Sequence, residues 1–180
     1  WPAPATALGW EALQKPRRTA VLSFPALRDL LDQFRGCLLG LACGNAIGAP
    51  LDRLSMADID QRYGNVRQMQ AGGWRDFPAG TLTGDAEMML LVLESYNENS
   101  GFSPVDIAER FREWYRQRPR DVAETTREAC ENLVYGYNFE RAGYDAWQSM
   151  PESMRWGSGS LVRAAPSGLL RYHDNVHLIG

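Results

Sequence analysis

The 180 residues suit one domain with a real core, and the shares of 44% hydrophobic and 23% charged residues are ordinary for a globular protein. A net charge of −3 leaves no basic excess for general nucleic-acid binding. No apolar run approaches the ~20 residues of a membrane helix, and no charged segment followed by an apolar one marks a leader, so no membrane partner is expected.

Residues 1–26 carry Pro2, Pro4, Pro16 and Pro25 without a sustained period, and read as a linker or loosely ordered extension. The chain opens on Trp1 and its first methionine is Met56, while "HLIG" leads up to Gly180; both ends are read as cut. From residue 27 to 180 the pattern is that of one helical domain. Leu27, Leu30, Leu31, Phe34, Cys37, Leu38, Leu41 and Ala42 fall on one helical stripe. Gly36, Gly40, Gly44 and Gly48 form a second stripe that predicts close packing of another backbone. Arg35 and Asn45 bracket too short a run for that stripe to signal membrane dimerisation.

Residues 64–83 are too glycine-rich for a helix and predict a long loop, functional or disordered. A helix starts near Gly84; its interior "AEMMLLVLESY" is apolar almost all round, which predicts a central, buried position. Ser103 and Pro104 form an N-cap and N1 pair for a helix that ends before Pro119. Further helices are predicted over Val122–Tyr137, over Phe139–Trp147, and over residues 160–172, the last kinked or broken at Pro166. No strand alternation is visible, so the fold class is all-α. Cys37, Cys43 and Cys130 form no CxxC pair and sit in apolar helical patterns, which predicts reduced core thiols and a cytoplasmic location.

Three segments could carry chemistry. Thr83 and Asp85 stand where the long loop meets the buried helix; they are hard oxygen ligands of the kind Mg²⁺ takes, or a helix cap with an acid at the positive dipole end. In "GNAIGAPLDR" a glycine-rich helix exit delivers Asp52 into a loop, where it is either functional or a surface acid after a turn. In "GSGSLVRAAP", Gly157, Ser158, Gly159 and Ser160 offer backbone N–H groups to an anion such as a diphosphate, or form a capped turn.

Taken in order, "FRGCLLGLACGNAIGAPLD", "TLTGDAEMML" and "GSGSLVRAAPSGL" resemble the motifs of the ADP-ribosylglycohydrolase family over about Phe34 to Leu170. The resemblance implies an all-α, compact orthogonal helical bundle, here truncated at its C-terminus. It implies hydrolysis of the glycosidic bond to ADP-ribose with two Mg²⁺ or Mn²⁺ ions, acting on an ADP-ribosylated protein or an ADP-ribosyl small molecule. By motif position Thr83, Asp85 and Asp52 match metal ligands, Asp52 also matches the catalytic carboxylate, and Gly157 to Ser160 match a substrate-binding loop. The chain departs from the family pattern at several of these points. Gly84 replaces the first Asp of T-D-D, Asp52 replaces Glu, Asn45 replaces Asp, Ser158 replaces Asn and Ala86 replaces Thr. A later D-x-D-T segment and a T-H segment would lie beyond Gly180. The expectation is weak metal binding and no turnover by this chain alone. The alternative is a catalytically dead member that binds ADP-ribose or a protein.

Two further patterns compete. "HDNVH" spaces His173 and His177 at i, i+4 like a zinc helix, without a third ligand. "ERFREWYRQRPRD", residues 109–121, mixes arginines with Trp114 and Tyr115; it reads as the solvated face of an amphipathic helix rather than as a phosphate or RNA surface.

Overall fold

A computed structural model gives the fold of residues 24–155 and 157–172. The N-terminal extension before Phe24 and both histidines lie outside these described residues. Among them are seven α-helices: α1 Phe24–Gly48, α2 Met56–Arg62, α3 Gly84–Asn99, α4 Pro104–Arg116, α5 Glu124–Val134, α6 Phe139–Ser149 and α7 Gly159–Leu170. The only extended pairing among them is an isolated bridge between Gly72 and Phe77. The expected all-α class is what is found.

Helix α3 is the axis of the molecule. Its Ala86, Met88, Met89, Val92, Ser95 and Tyr96 are buried, as an almost uniformly apolar helix must be. Helix α7 packs along it, tied by a 2.7 Å hydrogen bond between Tyr96 Oη and Ser167 Oγ. On the other side, Met88, Trp114 and Cys130 bring α3, α4 and α5 into one cluster, closed by Leu91, Phe111, Tyr115 and Val122. Helix α6 lies against α5 through the small residues Ala142 and Ala146. The caps follow the sequence: Ser103 Oγ accepts from Asp106 N–H at 3.4 Å with Pro104 at the first position, and Asn138 Oδ1 accepts from Glu140 N–H at 2.9 Å.

Four expectations are corrected. The stripe on α1 is only partly used: Leu30, Phe34, Leu38, Leu41 and Ala42 turn inward, but Leu27, Leu31 and Cys37 are exposed. Among the described residues the glycine stripe packs against nothing: a Cβ at Gly36, Gly40, Gly44 or Gly48 would meet no atom within 4 Å. Cys43 is therefore exposed as well, and of the three cysteines only Cys130 is a core thiol. Finally, Ala26–Leu51 is long and apolar enough to cross a membrane by length and composition. Arg28, Asp29, Asp32, Arg35 and Asn45 do not offset so many Leu, Ala and Gly residues, although core helices pass the same test.

Helix α7 runs unbroken through the buried Pro166. Helix α2 was not visible as a periodic stripe because it buries no residue; it is set locally, by a capping box in which Ser55 Oγ accepts from Asp58 N–H and Asp58 accepts from Ser55 N–H. The long loop is pinned rather than loose. Gly72 and Phe77 exchange two 2.8 Å backbone hydrogen bonds, and the Phe77 ring is 2% exposed. Gly73 has φ +78°, and a Cβ there would stand 2.7 Å from Pro50 Cα, so the loop is pressed onto the turn that follows α1.

Candidate functional site

Asp52 leaves the 3-10 turn Ala49–Leu51 just after α1, Asp85 sits in the first turn of α3, and Asp121 lies in the loop before α5. The three carboxylates line one cavity of about 120 Å³ together with Arg53, Trp74 and Trp114. The sequence reading brought Asp52 and Asp85 to one place; it missed Asp121, Arg53 and Trp74. Asp121 ends the arginine-rich run 109–121, where helical periodicity stops and nothing sets it apart from a solvated acid, so only the tertiary path of the loop reveals it.

The carboxylates are held by a chain of side chains. Trp74 Nε1 donates to Asp52 Oδ2 at 3.1 Å, and Arg53 Nε lies 3.7 Å from the same oxygen. Arg75 Nε lies 3.5 Å from Asp121 Oδ1. The guanidinium carbons of Arg53 and Arg75 stand over the Trp74 ring at 3.8 and 4.0 Å from its centroid. Among the described residues Asp85 has no such partner. Burial pushes its pKa above the usual carboxylate range, opposed by the Arg163 guanidinium and reinforced by the negative charges of Asp121 and Asp52. Its carboxylate lies against the start of α7: a Cβ on Gly159 would fall on Asp85 Oδ1. That helix N-terminus, expected to receive an anion, thus already faces a carboxylate of the chain itself.

Thr83 takes a different role from the two sketched for it. It is the N-cap residue of α3, but its side chain makes no capping bond. Its hydroxyl accepts from Asn45 Nδ2 at 2.7 Å, and its N–H donates to Asn45 Oδ1 at 2.8 Å. This two-bond clamp fastens α1 to the head of α3, so Asn45 has structural work where the family motif places an acid. The neighbouring Gly84 is crowded: a Cβ would stand 2.1 Å from the Asp121 carbonyl oxygen and 3.2 Å from the Trp114 ring. No side chain fits there while the loop before α5 keeps this path.

Of the loop 157–160, Gly157, Gly159 and Ser160 line a second, mostly apolar groove of about 670 Å³; Ser158 does not. The groove runs between α4, α5, α6 and α7 and joins the carboxylate cavity at Arg53, Ala123 and Thr126. At its floor Arg163 donates to Thr126 Oγ1 at 3.3 Å and approaches Met88 Sδ at 3.0 Å.

The residues present do not by themselves make a metal centre. Among the described residues no three His, Cys, Asp or Glu side chains converge to hold an ion. The Thr83 hydroxyl is engaged by Asn45, and Gly84 brings no ligand.

The described residues form an all-α domain that gathers three carboxylates in one cavity beside an apolar groove. The chain belongs to the ADP-ribosylglycohydrolase family, whose pattern it matches over residues 26–179. It is 35% identical over 149 residues to an uncharacterized protein of Archaeoglobus fulgidus, covering 82% of this chain and 46% of that one. It is 32% identical to the ADP-ribosyl-[dinitrogen reductase] glycohydrolase of Rhodospirillum rubrum, covering 77% and 44%, and 33% identical to the ADP-ribosylarginine hydrolase Tri1 of Pseudomonas putida, covering 80% and 38%. A solved ADP-ribosylglycohydrolase-related protein complex superimposes with a TM-score of 0.62 at 30% identity, over 84% of this chain and 47% of the other. The chain thus spans less than half the length of these relatives.

Proposed function

We propose that this chain carries the ADP-ribosyl-recognising part of an ADP-ribosylglycohydrolase and that it does not turn over substrate alone. The observation that carries the reading is the meeting of Asp52, Asp85 and Asp121 in one small cavity that opens into the apolar groove beside the loop 157–160. In this reading the groove takes the ADP-ribosyl group, with its base against apolar side chains. The C1′ carbon of the ribose lies at the carboxylates, where negative charge favours an oxocarbenium-like state. Asp52 is the carboxylate nearest solvent and the candidate catalytic group, while Asp85, which holds its proton more tightly than an ordinary aspartate, is suited to a hydrogen bond with a ribose hydroxyl. The substrate is an ADP-ribosylated protein or an ADP-ribosyl small molecule, and the compartment is the cytoplasm, a reading supported by three unpaired cysteines.

Mg²⁺ or Mn²⁺ is expected to associate weakly, because Asp52, Asp85 and Asp121, although they line one cavity, do not converge as the ligands of an ion. The same observation, with the closed space at Gly84, favours the second reading: a member that binds ADP-ribose without cleaving it. One experiment tests what the two readings share. ADP-ribose binding is measured by calorimetry, and release of ADP-ribose from a modified protein is followed in excess Mg²⁺ or Mn²⁺. Binding without release supports the proposal for this chain. Release at an enzymatic rate rejects the inactivity, and absence of binding rejects both readings.

A further inference from the structure

The carboxylate cavity also adjoins a third space, a groove of about 910 Å³ that shares Arg53, Trp74 and Val122 with it. Five guanidiniums line this groove, those of Arg53, Arg75, Arg116, Arg118 and Arg127, against one carboxylate, Glu124. They come from the turn after α1, the long loop, the end of α4, the turn before α5 and α5 itself. No single stretch of sequence announces them. In a chain of net charge −3, such a concentration in one concavity is a local excess.

Resting on the glycohydrolase reading, we propose that this groove seats an acidic stretch of the ADP-ribosylated protein next to its modified residue. The meeting of the three spaces carries the argument. The apolar groove and the arginine-lined groove each adjoin the carboxylate cavity, and the two share Arg53, Glu124 and Met154. A glycosidic bond held at the carboxylates with its ADP-ribosyl part in the apolar groove leaves the arginine-lined groove as the adjoining space for the other part of the substrate.

Arg53, Arg75 and Arg127 already pair with Asp52, Asp121 and Glu124, so Arg116 and Arg118 are the two placed to reach outward. Among the described residues Arg118 has no side-chain partner, and Arg116 holds only a 3.6 Å contact with Glu113 from an exposed position. Arg53 and Arg118 occupy left-handed backbone, with φ of 64° and 56°, a conformation that costs energy for any residue with a side chain. Guanidinium forks pair with carboxylates in bidentate fashion, and in a partly enclosed groove such pairs are screened less than on an open surface. A nucleic acid suits the groove less well. Phosphate chains need a long track of cations, whereas these five surround one pocket, and the rest of the basic run on α4 is already paired: Arg110 with Asp106, Glu94 and Glu98, and Arg112 with Glu109.

The test uses the 180-residue chain and labelled unmodified peptides of equal length, one rich in Asp and Glu, one neutral and one rich in Lys, with a single-stranded oligonucleotide of matched charge as control. ADP-ribose binding is measured separately. In low salt the acidic peptide is expected to bind about tenfold more tightly than the neutral one, with the preference shrinking as salt rises. The variant Arg116→Ser/Arg118→Asn, checked for unchanged helicity, is expected to lose most of that preference while keeping its ADP-ribose affinity; Asn tolerates the left-handed backbone at 118. Equal binding of all peptides, equal binding of the oligonucleotide, or a variant that keeps the acidic preference would overturn the proposal. ADP-ribose binding without peptide preference rejects the groove alone. Peptide preference without ADP-ribose binding rejects the glycohydrolase reading, and with it the assignment of the peptide as substrate.

Discussion

Asp85 shows how a single side chain couples the site to the fold. Its pKa is raised mainly by burial, so the folded chain holds that proton more tightly than the unfolded chain does. The linkage then has a definite sign. The contribution to stability is full below the ordinary aspartate value of about 4, and it is lost as pH rises through the higher folded value. Asp85→Asn removes the ionisation. It is expected to raise Tm at pH 7 and to leave Tm nearly unchanged at about pH 3, so that the difference between the two proteins grows with pH. Thermal denaturation across that range checks it; a variant that loses stability at pH 7 would show that the charge of Asp85 serves α7 and Arg163 more than burial opposes it.

Between elements, the head of α3 and the loop before α5 meet at Gly84, with no room for a side chain. The family motif places an aspartate there, and restoring it by Gly84→Asp is the obvious repair. The structure argues that it fails. A Cβ 2.1 Å from a backbone carbonyl has to push away the loop that carries Asp121, a cost of about 1–3 kcal/mol for overpacking, or roughly 2–12 °C in Tm for a domain of this size. Gly84→Asp is therefore expected to destabilise the chain without producing ADP-ribose release. A stable variant that gains activity would mean that the loop moves freely. The Asn45–Thr83 clamp is a second contact between elements that sequence order alone suggested would be a ligand position.

For the molecule as a whole, α1 decides the behaviour in solution. Leu27, Leu31 and Leu39 are 43%, 45% and 64% exposed, and among the described residues the glycine stripe beside them has no neighbour. A contiguous apolar face of this kind promotes association. The chain is expected to self-associate as concentration rises, and Leu31→Glu/Leu39→Glu to shift it toward monomer in light scattering. Thiol titration reads the same face. In the monomeric variant Cys37 and Cys43 are expected to react quickly, and Cys130, buried with its thiol pushed up to about 11 by desolvation, to react only on unfolding. Three fast thiols, or one, would contradict the packing described.

Local patterning alone determined the helices that bury a face, the cap at Ser103, the start of α3 and the long loop, because those features depend on period and on nearby residues. Motif order brought Asp52 and Asp85 together before any coordinates did. The tertiary structure decided the rest. Asp121, Arg53, Arg75 and Trp74 converge through loops without period, Thr83 is claimed by Asn45 from another helix, and Gly84 is closed by a carbonyl 37 residues away. The stripe on α1 marks the sharpest limit. Its apolar period says that the helix has a face to bury, but whether anything covers that face depends on neighbours that the period does not specify.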